Sequence, residues 1–366
     1  MTVTGRADTA VVADAARLPG PDVVRAVALI GVVVLNFHGY LVIRGSARGA
    51  DAVGRFFDPW SGPLATRFAA TFVLVAGVGV TLFTRRSAGD RAAMSAKQWT
   101  LVRRGLVLYG GGLVLDMVWP GTILTYYGAM FVLGAVLCGL RPAWVALVGV
   151  GAALAGAGIA WWSLERRLDG HDTSWLSQPG GGSPRGLVLD LFVNGTHPLL
   201  PWLAFFCSGI VLGRFLGAAA WRPAVLAAGF LLFGTATIAG SAAGTGTHAE
   251  LLSVDPYSRA LPYTLSALGT ALLAFGALTW VADRFSSAAP VRLLRDAGSM
   301  SLTLYVAHAL AFLLVVDRLE WVRPTGLDTA LLLAAGYWIA AIAAGAAWHR
   351  RFGIGPVEWL YRRLGG

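Results

Sequence analysis

Residues 22–40 read Asp-Val-Val-Arg-Ala-Val-Ala-Leu-Ile-Gly-Val-Val-Val-Leu-Asn-Phe-His-Gly-Tyr. The stretch is apolar and long enough to span a bilayer, yet Arg25 opens it and Asn36 and His38 lie toward its far end. Eleven residues separate Arg25 from Asn36, roughly 16 Å of helix, or about half a bilayer core. Polar groups at that depth are expensive unless paired. Asn36 and His38 are therefore either interhelical hydrogen-bond partners or chemistry reached from the far side. Positions two apart do not share a helix face. The two can act together only if the span breaks near Gly39, or if each meets a different partner.

The rest of the chain has the same character. Of 366 residues, 56% are hydrophobic and 13% charged, against about 25% charged in a soluble domain; the mean hydropathy is +0.65. The sequence predicts an all-α, polytopic membrane bundle. About ten spans are expected, near 23–43, 64–84, 101–119, 121–140, 143–163, 198–217, 221–241, 260–281, 297–316 and 328–348. The runs are too long and too little alternating for a β-barrel. Residues 1–22 read as a cytoplasmic segment, with Arg6, Asp8, Asp14 and Arg17 and no apolar core of a cleaved signal. Residues 349–366 read as a cytoplasmic tail. With both termini inside, 19 of the 29 basic residues face the cytoplasm, as the positive-inside rule requires. The net charge of +10 is then loop bias and calls for no nucleic acid. Cys138 and Cys207 lie in apolar runs, and no metal-ligand spacing is present.

Residues 164–197 form a long outer loop with a Gly180-Gly181-Gly182 turn and a short apolar piece, Leu187–Val193, expected as an interfacial or re-entrant helix. The outer half gathers Asn36, His38, Asp116, Tyr126, His197, Trp202, Arg259 and Tyr263. Trp119, Trp202 and Tyr263 also fit an aromatic belt at the membrane interface. A carboxylate such as Asp116 needs a partner, and Arg259 or a histidine is the expected one. Ser301, Tyr305 and His308 follow i, i+4, i+7 and share one face, as a hydrogen-bond stripe or a site lining.

Several segments together resemble a known family. Asp22-Val-Val-Arg25 with Asn36 beyond it, Phe72-Val-Leu-Val-Ala-Gly77, Asn194-Gly-Thr-His-Pro-Leu-Leu-Pro-Trp202 with Gly209 and Gly213-Arg214, Ser301-Leu-Thr-Leu-Tyr305 and Gly355-Pro-Val-Glu-Trp359 occur in that order. They resemble the membrane domain of heparan-α-glucosaminide N-acetyltransferase and the bacterial YeiB-like membrane proteins. The resemblance implies a transmembrane acyltransferase of the bacterial plasma membrane. It would move an acyl group, acetyl above all, from cytoplasmic acyl-CoA to an extracytoplasmic glycan or lipid-linked acceptor. Acyl-CoA would be a co-substrate with no tightly bound cofactor, and a homodimer stays open. Asn36 corresponds to a family site asparagine. The eukaryotic enzyme has a catalytic histidine before an outer-loop tryptophan; Phe56-Phe57-Asp58-Pro59-Trp60 has none. His38 is the candidate substitute.

The chemistry needs a base for the acceptor and a donor to the developing oxyanion. His38, Asn36 and Asp116 are the catalytic candidates. His197, Trp202, Tyr126, Arg259 and His308 are candidates to bind the acceptor, and Arg103, Arg104 and Arg214 to meet the phosphates of the coenzyme. The alternative is a small-molecule transporter or flippase with Asp116 and His308 along its path.

Overall fold

A computed structural model describes residues 19–177 and 183–366; the N-terminal charges from Arg6 to Arg17 and the Gly180–Gly182 turn lie outside the described residues. Among those described there are helices, turns and loops, and no strand.

The stretch around Asn36 forms α1, Pro19–Ile43, the centre of the bundle. It packs against α3 (Arg67–Thr84), α11 (Leu261–Arg284), α12 (Ala289–Ser299), α13 (Ser301–Phe312) and α14 (Leu327–Phe352). Its run of Val, Leu, Ala and Gly is buried through Phe37 and Leu41. It continues unbroken past Gly39, so Asn36 and His38 diverge. A short helix, α2 (Ala52–Phe56), follows it. α4 (Arg91–Asp116) and α5 (Leu124–Leu137) form an antiparallel pair. α6 (Pro142–Leu168) leads through α7 (Ser174–Ser177) to α8 (Pro184–Leu189), which ends in a π-helical turn, Asp190–Asn194. That segment meets α9 (Leu199–Phe215) at a bend of 54°, so the expected short helix is one arm of a broken span or re-entrant loop. α10 (Trp221–Ser241) pairs with α11, and α15 (Pro356–Gly365) closes the fold.

All ten expected spans fall on helices. Seven helices are long and apolar enough to cross a membrane, or up to eight if the bent pair is one span. The count falls below ten because α5 has 14 residues and α4 carries Arg103, Arg104 and Asp116. α4 begins ten residues before the expected start because Asp90 caps it, accepting from Ala93 N–H at 3.0 Å. The C-terminal residues are a docked helix: α15 lies along α4, and Arg104 donates to the Gly366 carbonyl at 2.9 Å.

The segments that carried the resemblance pair with one another. Gly77 on α3 and Gly209 on α9 face each other so closely that a Cβ on either would fall about 2 Å from a backbone carbonyl oxygen of the other helix. Thr81 donates to the Ile210 carbonyl at 2.8 Å beside that crossing. At the other seam, buried Glu358 of α15 accepts from Leu302 N–H at 2.6 Å and Thr303 N–H at 3.1 Å, and from the Thr303 hydroxyl. A carboxylate from a distant helix thus fills the N-terminal cap of α13, where the first N–H groups lack partners and the helix dipole favours negative charge. Glu358→Ala strands those donors. Hydrogen bonds to a charged group are worth about 1.5–3 kcal/mol each, so the variant is expected to lose about 2–3 kcal/mol of stability and Glu358→Gln about half of that. Thermal unfolding in lipid nanodiscs measures it; an unchanged midpoint in Glu358→Ala contradicts the cap.

The helices leave two distinct ends. One carries Arg85, Arg86, Arg91, Arg350, Arg351, Arg362 and Arg363, all exposed, and is called the basic end below. The other carries the connections 44–66, 117–123, 169–177, 183–198, 242–260 and 319–326.

Candidate active site

A cavity of about 590 Å³ opens at the loop end. Asn36 and Tyr40 of α1, Trp60, Phe72 of α3, Trp119, His197, Tyr257 and Tyr305 of α13 are among its walls. It is the place where the most sequence-predicted residues meet.

Asn36 is held from behind. Its Nδ2 lies 3.1 Å from Nε2 of His308, which is fully buried. His308 Nδ1 faces the Tyr305 carbonyl, and a carbonyl only accepts, so Nδ1 carries the proton and Nε2 is the bare nitrogen. Asn36 therefore donates to His308, which fixes the amide with one N–H engaged. Phe37, Trp119 and Tyr305 surround the imidazole at centroid distances of 4.9–5.9 Å, and Phe312 packs behind Phe37 at 5.3 Å. His308 supports the wall without lining it. Tyr305, one turn before it, does line the cavity; its hydroxyl lies 3.1 Å from Thr122 Oγ1 and accepts from Ile123 N–H at 3.3 Å.

His38 points elsewhere. It is fully buried, its Nδ1 donates to the Phe57 carbonyl at 2.8 Å, and its Nε2 is buried without a partner. It is not among the cavity walls; it ties α1 to the connection that presents Pro59 and Trp60. Asp58 fixes the same connection, accepting from Trp60 N–H at 2.9 Å and Ser61 N–H at 2.8 Å. Burial pushes the Asp58 carboxyl up, but these amides and the Ser61 hydroxyl outweigh it and hold the group below the usual range.

Asp116 does not pair with Arg259 or a histidine. It is exposed at the end of α4 and accepts from Gly121 N–H at 2.8 Å and Thr122 N–H at 3.3 Å. It thereby shapes the turn that puts Trp119 against Tyr40, with stacked rings 3.6 Å apart. Arg259 instead donates to the carbonyls of Val193, Asn194 (2.9 Å) and Gly195 (2.8 Å). It caps the C-terminal end of the π-helical turn, where a cation suits the dipole; its own burial lowers its pKa. Tyr126 donates to Asp190 at 2.9 Å and accepts from Thr196 N–H at 3.1 Å, which sets the backbone beside His197. His197 lines the cavity and packs edge-on against Trp202 at 4.6 Å; its Nδ1 is buried without a partner.

Three expected belt aromatics are inside the bundle: Trp119, Trp202 and Tyr263 are 1–2% exposed. Trp144, Trp161, Trp280 and Trp321, near helix ends, are among the exposed tryptophans. At the basic end, Arg214 donates to the Leu137, Cys138 and Leu140 carbonyls and caps α5. Arg104 is held between Phe83 and Tyr361, and Arg103 lies beside it against α15. A cavity of about 930 Å³ at that end is lined by Arg85, Arg91, Gln98 and Arg214. No hydrogen bond or ion pair engages the Arg85 and Arg91 side chains among the described residues.

Sequence reasoning did not find the Arg44–Asp317 ion pair, two contacts of 2.6 Å that close the loop end, because nothing local joins residues so far apart.

Residues 212–365 match a family described as protein of unknown function, DUF418. The members of that family are membrane proteins of the YeiB-like kind. The match runs from the end of α9 to α15 and includes Tyr305, His308 and Glu358, while Asn36, His38 and Arg44 precede it. No curated protein matches the chain.

Proposed function

We propose that the protein is a membrane acyltransferase that receives acyl-CoA at the basic end and holds its acceptor in the loop-end cavity. The observation that carries this reading is the pairing, in one cavity, of a histidine with an asparagine amide whose orientation is fixed by a buried second histidine. His197 is the base for an acceptor hydroxyl or amine. It takes the proton as the acceptor attacks the thioester carbonyl. The remaining N–H of Asn36 meets the negative charge that develops on the carbonyl oxygen. The coenzyme thiolate leaves with the electrons of the broken C–S bond. His38 and Asp116 serve as positioning residues, through Phe57 and through the turn to Gly121.

At the basic end the unengaged guanidinium groups of Arg85 and Arg91 take over the role first considered for Arg103, Arg104 and Arg214. The positive-inside rule puts this end in the cytoplasm, where acyl-CoA is made. The two cavities share no wall residue. Between them α3 runs through the packed stretch from Val73 to Val80, so transfer requires this layer to open. A transport reading draws on the same interior: the Tyr127 hydroxyl is buried without a partner in that layer.

Acetyl-CoA binding to the purified protein in lipid nanodiscs tests the reading. Saturable binding is expected, weakened about tenfold or more in an Arg85→Gln, Arg91→Gln double variant, since two charge-assisted contacts to phosphate are lost. A wild type that binds no acetyl-CoA overturns the acyltransferase reading and leaves transport.

A further inference from the structure

Tyr127 on α5 is 5% exposed, and its hydroxyl is buried without a partner. A buried hydroxyl left unpaired is destabilising and calls for a reason. The Tyr127 ring packs edge-on against Phe72 at 5.7 Å, and Phe72 is a wall of the loop-end cavity. Tyr127 itself is not a wall; it stands behind Phe72, in the layer that separates the two cavities. The same face of α3 carries Gly79, seven residues beyond Phe72 and about 10 Å nearer the basic end. Beyond its own helix, a Cβ added at Gly79 would meet only Nη2 of Arg25, at 3.8 Å. α1 and α3 pack together, so this open space is a local gap between them. Nη1 of Arg25 is held by Asp22 at 2.8 Å, while no hydrogen bond engages Nη2 or Nε among the described residues, and the side chain is 23% exposed. Arg25 and Tyr305 both act electrostatically on the Tyr127 hydroxyl. A gap beside a part-exposed guanidinium thus lies on the α3 face that leads to an unpaired hydroxyl behind the cavity wall.

We infer that the Tyr127 hydroxyl binds the acyl donor, donating a hydrogen bond to an amide carbonyl of the pantetheine arm where that arm crosses the layer between α1, α3 and α5. The inference rests on the acyltransferase reading. The arm suits this place because it is a slender, uncharged chain with amides at intervals. The charged nucleotide end is too costly to bring into an apolar layer and stays at the basic end. The acceptor, entering from the loop end, has Asn36, His197 and Tyr305 within its own cavity, and Phe72 lies between it and Tyr127. No bond is made or broken at Tyr127.

Titration of acetyl-CoA and of 3′-phospho-ADP, the nucleotide end without the arm, into the protein in lipid nanodiscs tests this. Tyr127→Phe is expected to weaken acetyl-CoA binding about three- to tenfold, the effect of one hydrogen bond, and to leave nucleotide binding unchanged. It is expected to melt no lower than the wild type, because an unpaired hydroxyl has been removed. Gly79→Leu, which fills the gap without meeting backbone of another helix, is expected to weaken acetyl-CoA binding and again spare the nucleotide. Equal acetyl-CoA affinity in the wild type and Tyr127→Phe overturns the inference alone, as does an equal loss for both ligands. A lower melting temperature in Tyr127→Phe identifies a paired, structural hydroxyl and overturns it too. A wild type that binds no acetyl-CoA overturns the acyltransferase reading and this inference with it.

Discussion

Gly209→Leu is expected to leave little folded protein. A Cβ at Gly209 would lie 2.0 Å from the Leu74 carbonyl oxygen, and one at Gly77 would lie 2.1 Å from that of Phe206. Both obstacles are backbone, so no side chain can rotate away, and α3 and α9 must separate. Overpacking a core costs about 1–3 kcal/mol where neighbours can shift. Here the Thr81–Ile210 hydrogen bond and the contacts along both helices go with it. Several kcal/mol is a large share of a total of about 5–15 kcal/mol. Gly151, where an added Cβ meets nothing within 4 Å, is the control: Gly151→Leu is expected to fold normally. Thermal unfolding and size-exclusion yield measure both. A Gly209→Leu protein that melts with the wild type contradicts the close crossing.

The second large effect concerns the amide in the cavity. Asn36→Ala is expected to lower acyl transfer about 10²–10³-fold per folded molecule, the usual cost of one oxyanion donor. If Asn36 were only interhelical glue, its loss would cost roughly 1 kcal/mol of stability and leave turnover unchanged. His308 acts through Asn36, so its effect should be non-additive. His308→Gln keeps an acceptor for the Asn36 N–H and is expected to retain most activity. His308→Ala frees the amide, yet adds nothing further in the Asn36→Ala background. Wild-type turnover in Asn36→Ala would remove Asn36 from the chemistry.

These two expectations also mark what the sequence made legible. The membrane bundle was plain from apolar length, and α1 is central as its composition suggested. The shared face of Tyr305 and His308 followed from helical spacing. Pairings across the chain were not legible. Asn36 and His308 are 272 positions apart, and no local pattern connects them. Asp116 seemed to require a cation, but backbone amides of its own turn satisfy it, a partner that residue types do not reveal. Glu358 read as part of a surface tail; its role depends on α15 folding back to the start of α13. Basic residues near inner helix ends looked alike. Only geometry separates Arg104 and Arg214, spent on carbonyls, from Arg85 and Arg91, which are unengaged. The helix count fell short because α4 carries charges where an apolar window was needed.

The most direct test of vectorial acyl transfer uses sealed vesicles with the protein in one orientation, which impermeant cysteine labelling near position 90 establishes. Labelled acetyl-CoA is supplied on one side only, with native membrane acceptors on the other. Label should reach the acceptor when acetyl-CoA faces the basic end, and fall at least 10²-fold with Asn36→Ala. No transfer from either side by the wild type, or equal transfer by wild type and Asn36→Ala, would contradict it.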